Sequence, residues 1–376
     1  MPSTFSRYMW HRQVPDYGGW LLGTRAVTCM STVVPTHKEK CGLAGIMPRL
    51  FGLVAGLVLL GAMTLISLSI GARPIAILTV LEALFTYDTH IAEHIIVHDY
   101  RLPRTLLGLL CGEAFGVSGA LIQAATRNPL ADPGLLGVNA GTAFFVTLAV
   151  GMLGLYSIDS YLWFAFLGAI TVTLAVYALG AVGSDGATPV RMVLAGVALS
   201  AVLGGIGSAI TLLDPQAFDS MRFWSIGSIA GRDMEIVTTV APFIGAGLLI
   251  ALTAARPLNA VALGDDLARS LGANILSART MTVIAVTLLA GAGTAACGPV
   301  GFVGLMVPHV VRWFTGPDQR WIIPTTMIYA PLLLLAADVA GRLILYPGEL
   351  EAGIVTAFIG APVLILLVRR KKASGL

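Results

Sequence analysis

Residues 50–70 read LFGLVAGLVLLGAMTLISLSI, an unbroken apolar stretch without a charged residue. A transmembrane helix needs about 20 such residues to cross the hydrocarbon core of a bilayer, which is about 30 Å thick. A membrane β-strand would instead alternate polar and apolar side chains over about ten residues. The stretch therefore predicts a transmembrane helix.

Comparable stretches recur to the end of the chain. Apolar residues make up 56% of the sequence and charged residues 11%, whereas a soluble domain carries roughly 25% charged residues. The eighth stretch is short and contains Gly304 and Pro308, so we expect a broken or tilted helix packed inside protein. The sequence predicts an all-α integral membrane protein with about ten transmembrane helices. The predicted spans are residues 50–71, 104–124, 136–154, 161–182, 190–212, 235–254, 280–298, 303–315, 321–341 and 353–369.

Charge and composition divide the chain into segments. Residues 1–48 are polar and rich in turn-forming residues, which predicts a disordered cytoplasmic tail before a membrane domain at residues 49–372. The basic run RRKK at residues 369–372 places the C-terminus in the cytoplasm by the positive-inside rule. An even number of spans puts the N-terminus on the same side. Residues 256–279 form the longest charged connection between spans on that side.

Enzyme and metal-site motifs are missing from the sequence. None of the four lysines completes the P-loop pattern GxxxxGK[ST], and HExxH, GxSxG and GxGxxG are also absent. The four cysteines are widely spaced without a CxxC pair, so neither a zinc site nor a disulfide framework is indicated. We expect no enzymatic activity, no cofactor, no metal and no nucleic-acid partner. Transport, a channel or a membrane scaffold remain.

The most distinctive stretch is RLPRTLLGLLCGEAFGVSGALIQAATRNPLADPGLLGVNAG, from Arg101 to Gly141. It resembles the FecCD family of ABC importer permeases, whose members carry RLPR, SGALxQ and NPLADPxLLG in this order. The resemblance covers residues 50–372. Further similar blocks are FWSIGS at 223–228, GDDLARSLGAN at 264–274, GPVGFVGLMVPHVVR at 298–312, AADVAGR at 336–342 and GIVTAFIGAPVLILLVRR at 353–370.

The resemblance implies the architecture of a type II ABC importer permease in a bacterial cytoplasmic membrane. In that family the permease packs against a second copy or a paralogue, around a central pathway in the lipid bilayer. Two cytoplasmic ATP-binding subunits drive transport, and an extracytoplasmic binding protein delivers ferric siderophore, haem or cobalamin. The missing P-loop fits this arrangement, because another chain would supply the energy. The sequence leaves the ligand and the choice between homodimer and heterodimer open.

The resemblance also implies roles for three groups of residues. Arg101, Arg104 and Arg342 match outer arginines that pair with acidic residues of the binding protein. The alternative is that they anchor helix ends at the membrane interface. The inner gate corresponds to Asn128, Pro129 and Leu130, where the residues themselves predict only a sharp turn, because Asn-Pro initiates turns. Contacts to the ATP-binding subunit correspond to Asp265, Asp266, Leu267, Arg269, Ser270 and Leu271, in a short helical segment that ends at a possible glycine cap.

Four residues are candidates for the pathway, namely Glu113, Met221, Phe223 and Trp224. For Met221, Phe223 and Trp224 the equal alternative is packing in the core. Glu113 lies within the second span, where a carboxylate is costly unless it is protonated, paired or facing water. It either lines the pathway or is a neutral core acid. A competing interpretation is an ion-coupled secondary transporter that uses Glu113.

Three histidines and one aspartate have mainly structural interpretations. His90, His94 and His98 share a spacing of four residues, which would place them on one helix face. We favour an amphipathic outer helix over a metal, haem or pH-sensitive role. Asp338, near the outer end of the ninth span, is expected to make structural hydrogen bonds.

Overall fold

The computed structural model describes residues 43–181, 189–270 and 272–369. Within these ranges the regular secondary structure is helical, and no strand occurs. The predicted boundary between tail and membrane domain falls inside the first helix, which begins at Leu43 rather than after residue 48. The rest of the predicted tail, residues 1–42, lies outside the described residues.

Fourteen α-helices are described, and they are numbered here in chain order. They are α1 (Leu43–Ser69), α2 (Ile77–Phe85), α3 (Ala92–Ile95), α4 (Leu102–Thr126), α5 (Val138–Leu153), α6 (Ile158–Ala181), α7 (Pro189–Leu213), α8 (Pro215–Trp224), α9 (Met234–Ala262), α10 (Asp265–Ser270), α11 (Ile275–Cys297), α12 (Val303–Thr315), α13 (Gln319–Ile344) and α14 (Ala352–Arg369). A π-helical turn, Ile96–Arg101, joins α3 to α4, and a 3-10 turn, Pro133–Leu136, precedes α5.

The predicted spans correspond to α1, α4 to α7, α9 and α11 to α14. Among the described residues, seven helices are long and apolar enough to cross a membrane by length and composition. The other three predicted spans are α5, α14 and the 13-residue α12, which are shorter or have shorter apolar segments. The all-helical membrane fold is therefore confirmed. Its shorter helices α5, α12 and α14 lie within the membrane domain together with the long ones.

Helix α4 lies at the centre of the core and packs against α9, α11, α12 and α13. Small residues on α4 permit this close packing. A Cβ atom on Gly112 would lie 2.3 Å from Cα of Pro331 on α13, and one on Gly119 would lie 2.0 Å from the carbonyl oxygen of Gly304 on α12. The backbones therefore touch where a larger side chain would separate the helices.

Two non-helical segments meet within the bundle. The segment after α8 is bonded to the end of α11 by a hydrogen bond from Ser228 N to Cys297 O of 2.7 Å, and Gly353 N on α14 donates to Gly227 O at 3.0 Å. Gln123 on α4 donates its amide to the carbonyls of Gly304 (3.0 Å) and Leu305 (3.2 Å) at the start of α12. Irregular backbone is tolerated at membrane depth when protein groups satisfy it in this way.

Candidate functional site

Arg101 and Arg342 are buried at the predicted outer end, with 6% and 4% of their surface exposed. Arg101 Nη1 donates to the carbonyls of Leu68 and Ser69, both at 2.7 Å. Arg342 Nη1 donates to the carbonyls of Ser67 (2.8 Å) and Ile70 (2.7 Å). These carbonyls belong to the end of α1, where the helix leaves its last carbonyl groups without intrahelical partners. Both guanidinium groups therefore cap α1.

Arg104 is the third predicted docking residue, and 12% of its side chain is exposed. Its Nη2 lies 2.7 Å from Oδ1 of Asp338, and its Nη1 lies 2.7 Å from Oε2 of Glu349. The other carboxylate oxygen of Asp338 accepts a hydrogen bond from Arg342. The structural hydrogen bonding predicted for Asp338 is confirmed. Sequence reasoning missed Glu349, although the run GELE between α13 and α14 marks it.

The structure thus brings the three predicted docking arginines together, but it directs their guanidinium groups toward carbonyls and carboxylates of the same chain. Docking stays a prediction, and this geometry favours the alternative of anchoring helix ends. Arg73, at the same end, has a highly exposed side chain, at 65%, and pairs with Glu93 at 2.7 Å. Arg222 is similarly exposed, at 58%.

The three outer histidines do not form one helix face. Helix α3 begins at Ala92, so His90 precedes it in a turn. His94 is 2% exposed, and its Nδ1 accepts a hydrogen bond from Asp88 N at 3.1 Å. The ring of His98 lies 4.7 Å from that of Tyr87. The prediction of one shared helix face was wrong. A spacing of four residues places side chains on one face only when all of them are in the same helix, and His90 is not helical.

The predicted gate is a tight turn at the opposite end of α4. Asn128 Oδ1 accepts a hydrogen bond from Leu130 N at 3.0 Å, and Pro129 lies between them. Asp132 Oδ1 accepts from Gly134 N at 2.8 Å and caps the 3-10 turn. Burial raises the pKa of Asp132, and the hydrogen bond from Gly134 opposes this shift. The predicted sharp turn is confirmed, and the gate role stays a prediction.

Helix α10 contains the residues predicted to contact an ATP-binding subunit. Asp266, Leu267, Arg269 and Ser270 are exposed, whereas Leu271 lies outside the described residues. Ala268 is buried against Val261, Ile275 and Ala278. The predicted glycine cap is confirmed, since Gly272 has a φ of 77° and its N–H donates to Arg269 O at 2.9 Å.

Asp265, at the first position of α10, points toward the bundle, whereas the residues that follow it, Asp266 and Leu267, are exposed. Its carboxylate pairs with Arg127 at the end of α4 and lies 2.7 Å from Nη2 of Arg279 on α11. Sequence reasoning missed both arginines. The arginine directly before the Asn-Pro turn was the available signal for Arg127, whereas nothing local marks Arg279.

A cavity of about 350 Å³ lies between α5, α7 and α8. Met221 lines it together with Phe144, Ser208 and Arg222. Of the other predicted pathway residues, Phe223 is 61% exposed and Trp224 is 6% exposed. The structure therefore places Met221 and Phe223 at accessible positions and Trp224 in the core.

Glu113 lies on α4, away from this cavity. Helix α4 packs against α9, α11, α12 and α13, and the cavity is formed by α5, α7 and α8. The Glu113 side chain is partly exposed, and within the described ranges it has no hydrogen bond or ion pair. The predicted pathway candidates are thus divided between two separate parts of the bundle.

The sequence profile of the FecCD transport family matches residues 59–370 of the chain. The chain belongs to this family. The permease is 48% identical over 320 residues to the ferric enterobactin transport system permease protein FepD of Escherichia coli K12, an alignment that covers 85% of this chain and 95% of FepD. It is 39% identical over 321 residues to the iron(3+)-hydroxamate import system permease protein FhuB of Bacillus subtilis, covering 85% of this chain and 83% of FhuB.

The permease also resembles a solved structure of a metal-chelate type ABC transporter in an inward-facing conformation. The TM-score is 0.74 at 26% identity, and the superposition covers 86% of this chain and 99% of the other. The resemblance to the FecCD permeases and the permease architecture are both confirmed. An ion-coupled transporter that uses Glu113 is not favoured, because the family consists of ABC transporter permeases and Glu113 lies away from the cavity.

Proposed function

We propose that this permease carries ferric siderophores across a bacterial cytoplasmic membrane as the membrane subunit of a binding-protein-dependent ABC importer. The ligand class is supported by the 48% identity to the ferric enterobactin permease over 85% of the chain. Transport proceeds by ATP-driven alternating access. Haem and cobalamin are the next ligands to test.

Helix α10 is the observation that carries the ATP-driven part of the proposal. It is a six-residue helix in a connection between spans, and four of its side chains are exposed. Those side chains would contact one of two cytoplasmic ATP-binding subunits. Hydrolysis takes place on those subunits, because the permease sequence lacks a P-loop.

A second copy of the permease, or a paralogue, would cover α7. Few residues of this long apolar helix are buried, and Val202 and Ile206 are 58% and 47% exposed. Cβ atoms added to Gly204 and Gly205 would meet no atom within 4 Å. Small residues of this kind allow close approach of helices in lipid. The pathway would run between the two copies, with Met221 and Phe223 near its outer part.

We expect the C-terminus in the cytoplasm because of its basic run, and an even number of spans would put the N-terminus on the same side. The binding protein would then dock where α13 and α14 are joined. Of the arginines predicted for docking, Arg104 has 12% of its side chain exposed and Arg342 has 3%. At the cytoplasmic end, the turn formed by Asn128, Pro129 and Leu130 would close the pathway.

Uptake into proteoliposomes tests this function. The permease is reconstituted with its cognate ATP-binding subunits, with ATP inside, and the binding protein and ⁵⁵Fe-labelled ferric enterobactin are added outside. We expect uptake that orthovanadate inhibits and that ionophores leave unchanged. Vesicles without the permease are the control.

Uptake that ionophores abolish and orthovanadate does not would support the ion-coupled alternative instead. Uptake of haem or cobalamin without uptake of ferric enterobactin would overturn the ligand assignment while leaving the importer assignment in place.

A further inference from the structure

Asp265 connects the exposed helix α10 to the end of α4 that carries the predicted gate. One carboxylate oxygen pairs with Nη2 of Arg127, and the other lies 2.7 Å from Nη2 of Arg279. Arg127 directly precedes the turn at Asn128. A single carboxylate therefore joins α4, α10 and α11.

Arg127 occupies a backbone conformation that an arginine rarely adopts. It ends α4 with φ 51° and ψ 31°, in the left-handed region. Glycine usually fills this position at a helix end, because any Cβ atom is disfavoured there. An arginine at such a position is explained by what its side chain does, and here the side chain pairs with Asp265. Strained positions of this kind motivate a search for function.

The apolar contacts of α10 are made with α9 and α11. Ala268 packs with Val261 of α9 and with Ile275 and Ala278 of α11. This apolar cluster contains no residue of α4. The ion pair between Asp265 and Arg127 is therefore a direct side-chain contact between α10 and the end of α4.

The 3-10 turn that follows the gate turn touches α7. A Cβ atom on Gly196 of α7 would lie 2.0 Å from the carbonyl oxygen of Leu135, in the 3-10 turn that follows the gate. The backbone of α7 and this turn are thus in direct contact. A continuous path of contacts runs from α10 through Arg127 and the turn to α7, the helix proposed to border the pathway.

We infer that Asp265 is a positioning residue that transmits nucleotide-driven movement of α10 to the gate through Arg127, while Arg279 holds its second carboxylate oxygen. This inference rests on the proposed importer function. It assigns Asp265 a role different from that of Asp266, whose carboxylate is fully exposed and pairs only loosely with Arg269, at 3.5 Å.

The decisive variant is Arg127→Gly, because glycine suits the left-handed backbone and removes only the side chain. In the proteoliposome assay we expect normal assembly with the ATP-binding subunits and continued ATP hydrolysis. Uptake of ferric enterobactin per ATP hydrolysed should fall by roughly 2- to 30-fold, the range that mutations along a coupling network produce. Asp265→Asn should behave alike, and Arg127→Lys should retain most of the coupling.

A second readout separates coupling from mere structural support. Leu130→Cys is introduced into a chain with Cys29 and Cys41 replaced by serine, and its labelling by a polar maleimide is timed with and without orthovanadate-trapped nucleotide. Nucleotide should change the labelling rate when Arg127 is present and leave it unchanged in Arg127→Gly. The matched control is Arg320→Gln, which removes an exposed arginine paired with Asp318 and should preserve both readouts.

Wild-type uptake per ATP and nucleotide-dependent labelling in Arg127→Gly would overturn the inference. Loss of ATP-binding subunits from Asp265→Asn would also overturn it, because Asp265 would then belong to the subunit contact. Absence of uptake by the wild-type transporter would instead refute the proposed function.

Discussion

At the scale of single residues, Arg342 shows how a charge can be held inside a membrane protein. Its side chain is 3% exposed, and it contacts Asp338 together with carbonyl groups of α1. Burial of a charge is tolerated when hydrogen bonds and an opposite charge compensate for lost water. Removal of the guanidinium would leave Asp338 in contact with Arg104 alone and would remove one of the two guanidinium groups that cap α1.

We predict that Arg342→Ala lowers the free energy of unfolding by about 3–5 kcal/mol, as expected when one partner of a buried ion pair is removed. The matched control is Arg73→Ala, because Arg73 forms an ion pair at the same end but is 65% exposed. Its loss should cost about 0–1 kcal/mol. Thermal unfolding of the purified, detergent-solubilised permease measures both. Equal unfolding temperatures combined with lost uptake in Arg342→Ala would favour the docking role instead.

At the scale of helices, the crossing of α4 and α12 depends on the absence of side chains. Backbone atoms of Gly304 occupy the space that a Cβ atom on Gly119 would need, at 2.0 Å. The same crossing places the side-chain amide of Gln123 against the carbonyls of Gly304 and Leu305 at the start of α12. Close packing and polar satisfaction therefore depend on the same few residues.

We predict that Gly119→Ala destabilises the permease by about 1–3 kcal/mol, the usual range for overpacking a core. Gly61→Ala on α1 is the control, since a Cβ atom there meets nothing within 4 Å. It should be neutral or stabilise by roughly 0.5–1 kcal/mol, because alanine favours the helix. The yield of monodisperse protein and its unfolding temperature measure both changes. An unaffected Gly119→Ala variant would mean that α12 can move aside freely.

At the scale of the whole molecule, the uncovered face of α7 predicts how copies associate. Gly205→Trp would project a large ring from a position with open space around it. We expect the variant to fold but to lose pairing of two copies, seen as a smaller particle by size-exclusion chromatography with light scattering. Gly61→Trp should leave pairing intact. Retained pairing in Gly205→Trp would exclude α7 from the interface.

The spans could be predicted from sequence because apolar length is a local property, and α12 coincides with the predicted residues 303–315. The directions in which side chains point could not be predicted from sequence, since they depend on neighbours that are distant in sequence. Arg101 and Arg342 were predicted to lie at the same end of the bundle, as the structure has them, but their carbonyl partners on α1 are set by packing. Asp265 was predicted in the correct helix, and only the bundle shows that it faces Arg127.

Helix α12 also has a consequence for biosynthesis. Its 13 residues rise about 20 Å, less than the roughly 30 Å of a hydrocarbon core. The ribosome delivers α12 before α13, its neighbour in the finished bundle, while α4 has already left the exit tunnel. We expect α12 not to insert stably at the translocon until α13 has been synthesised. Helix α12 would then pack against α4, where the side-chain amide of Gln123 donates to its first carbonyls. Packing of the helix bundle is therefore completed only during the last part of translation.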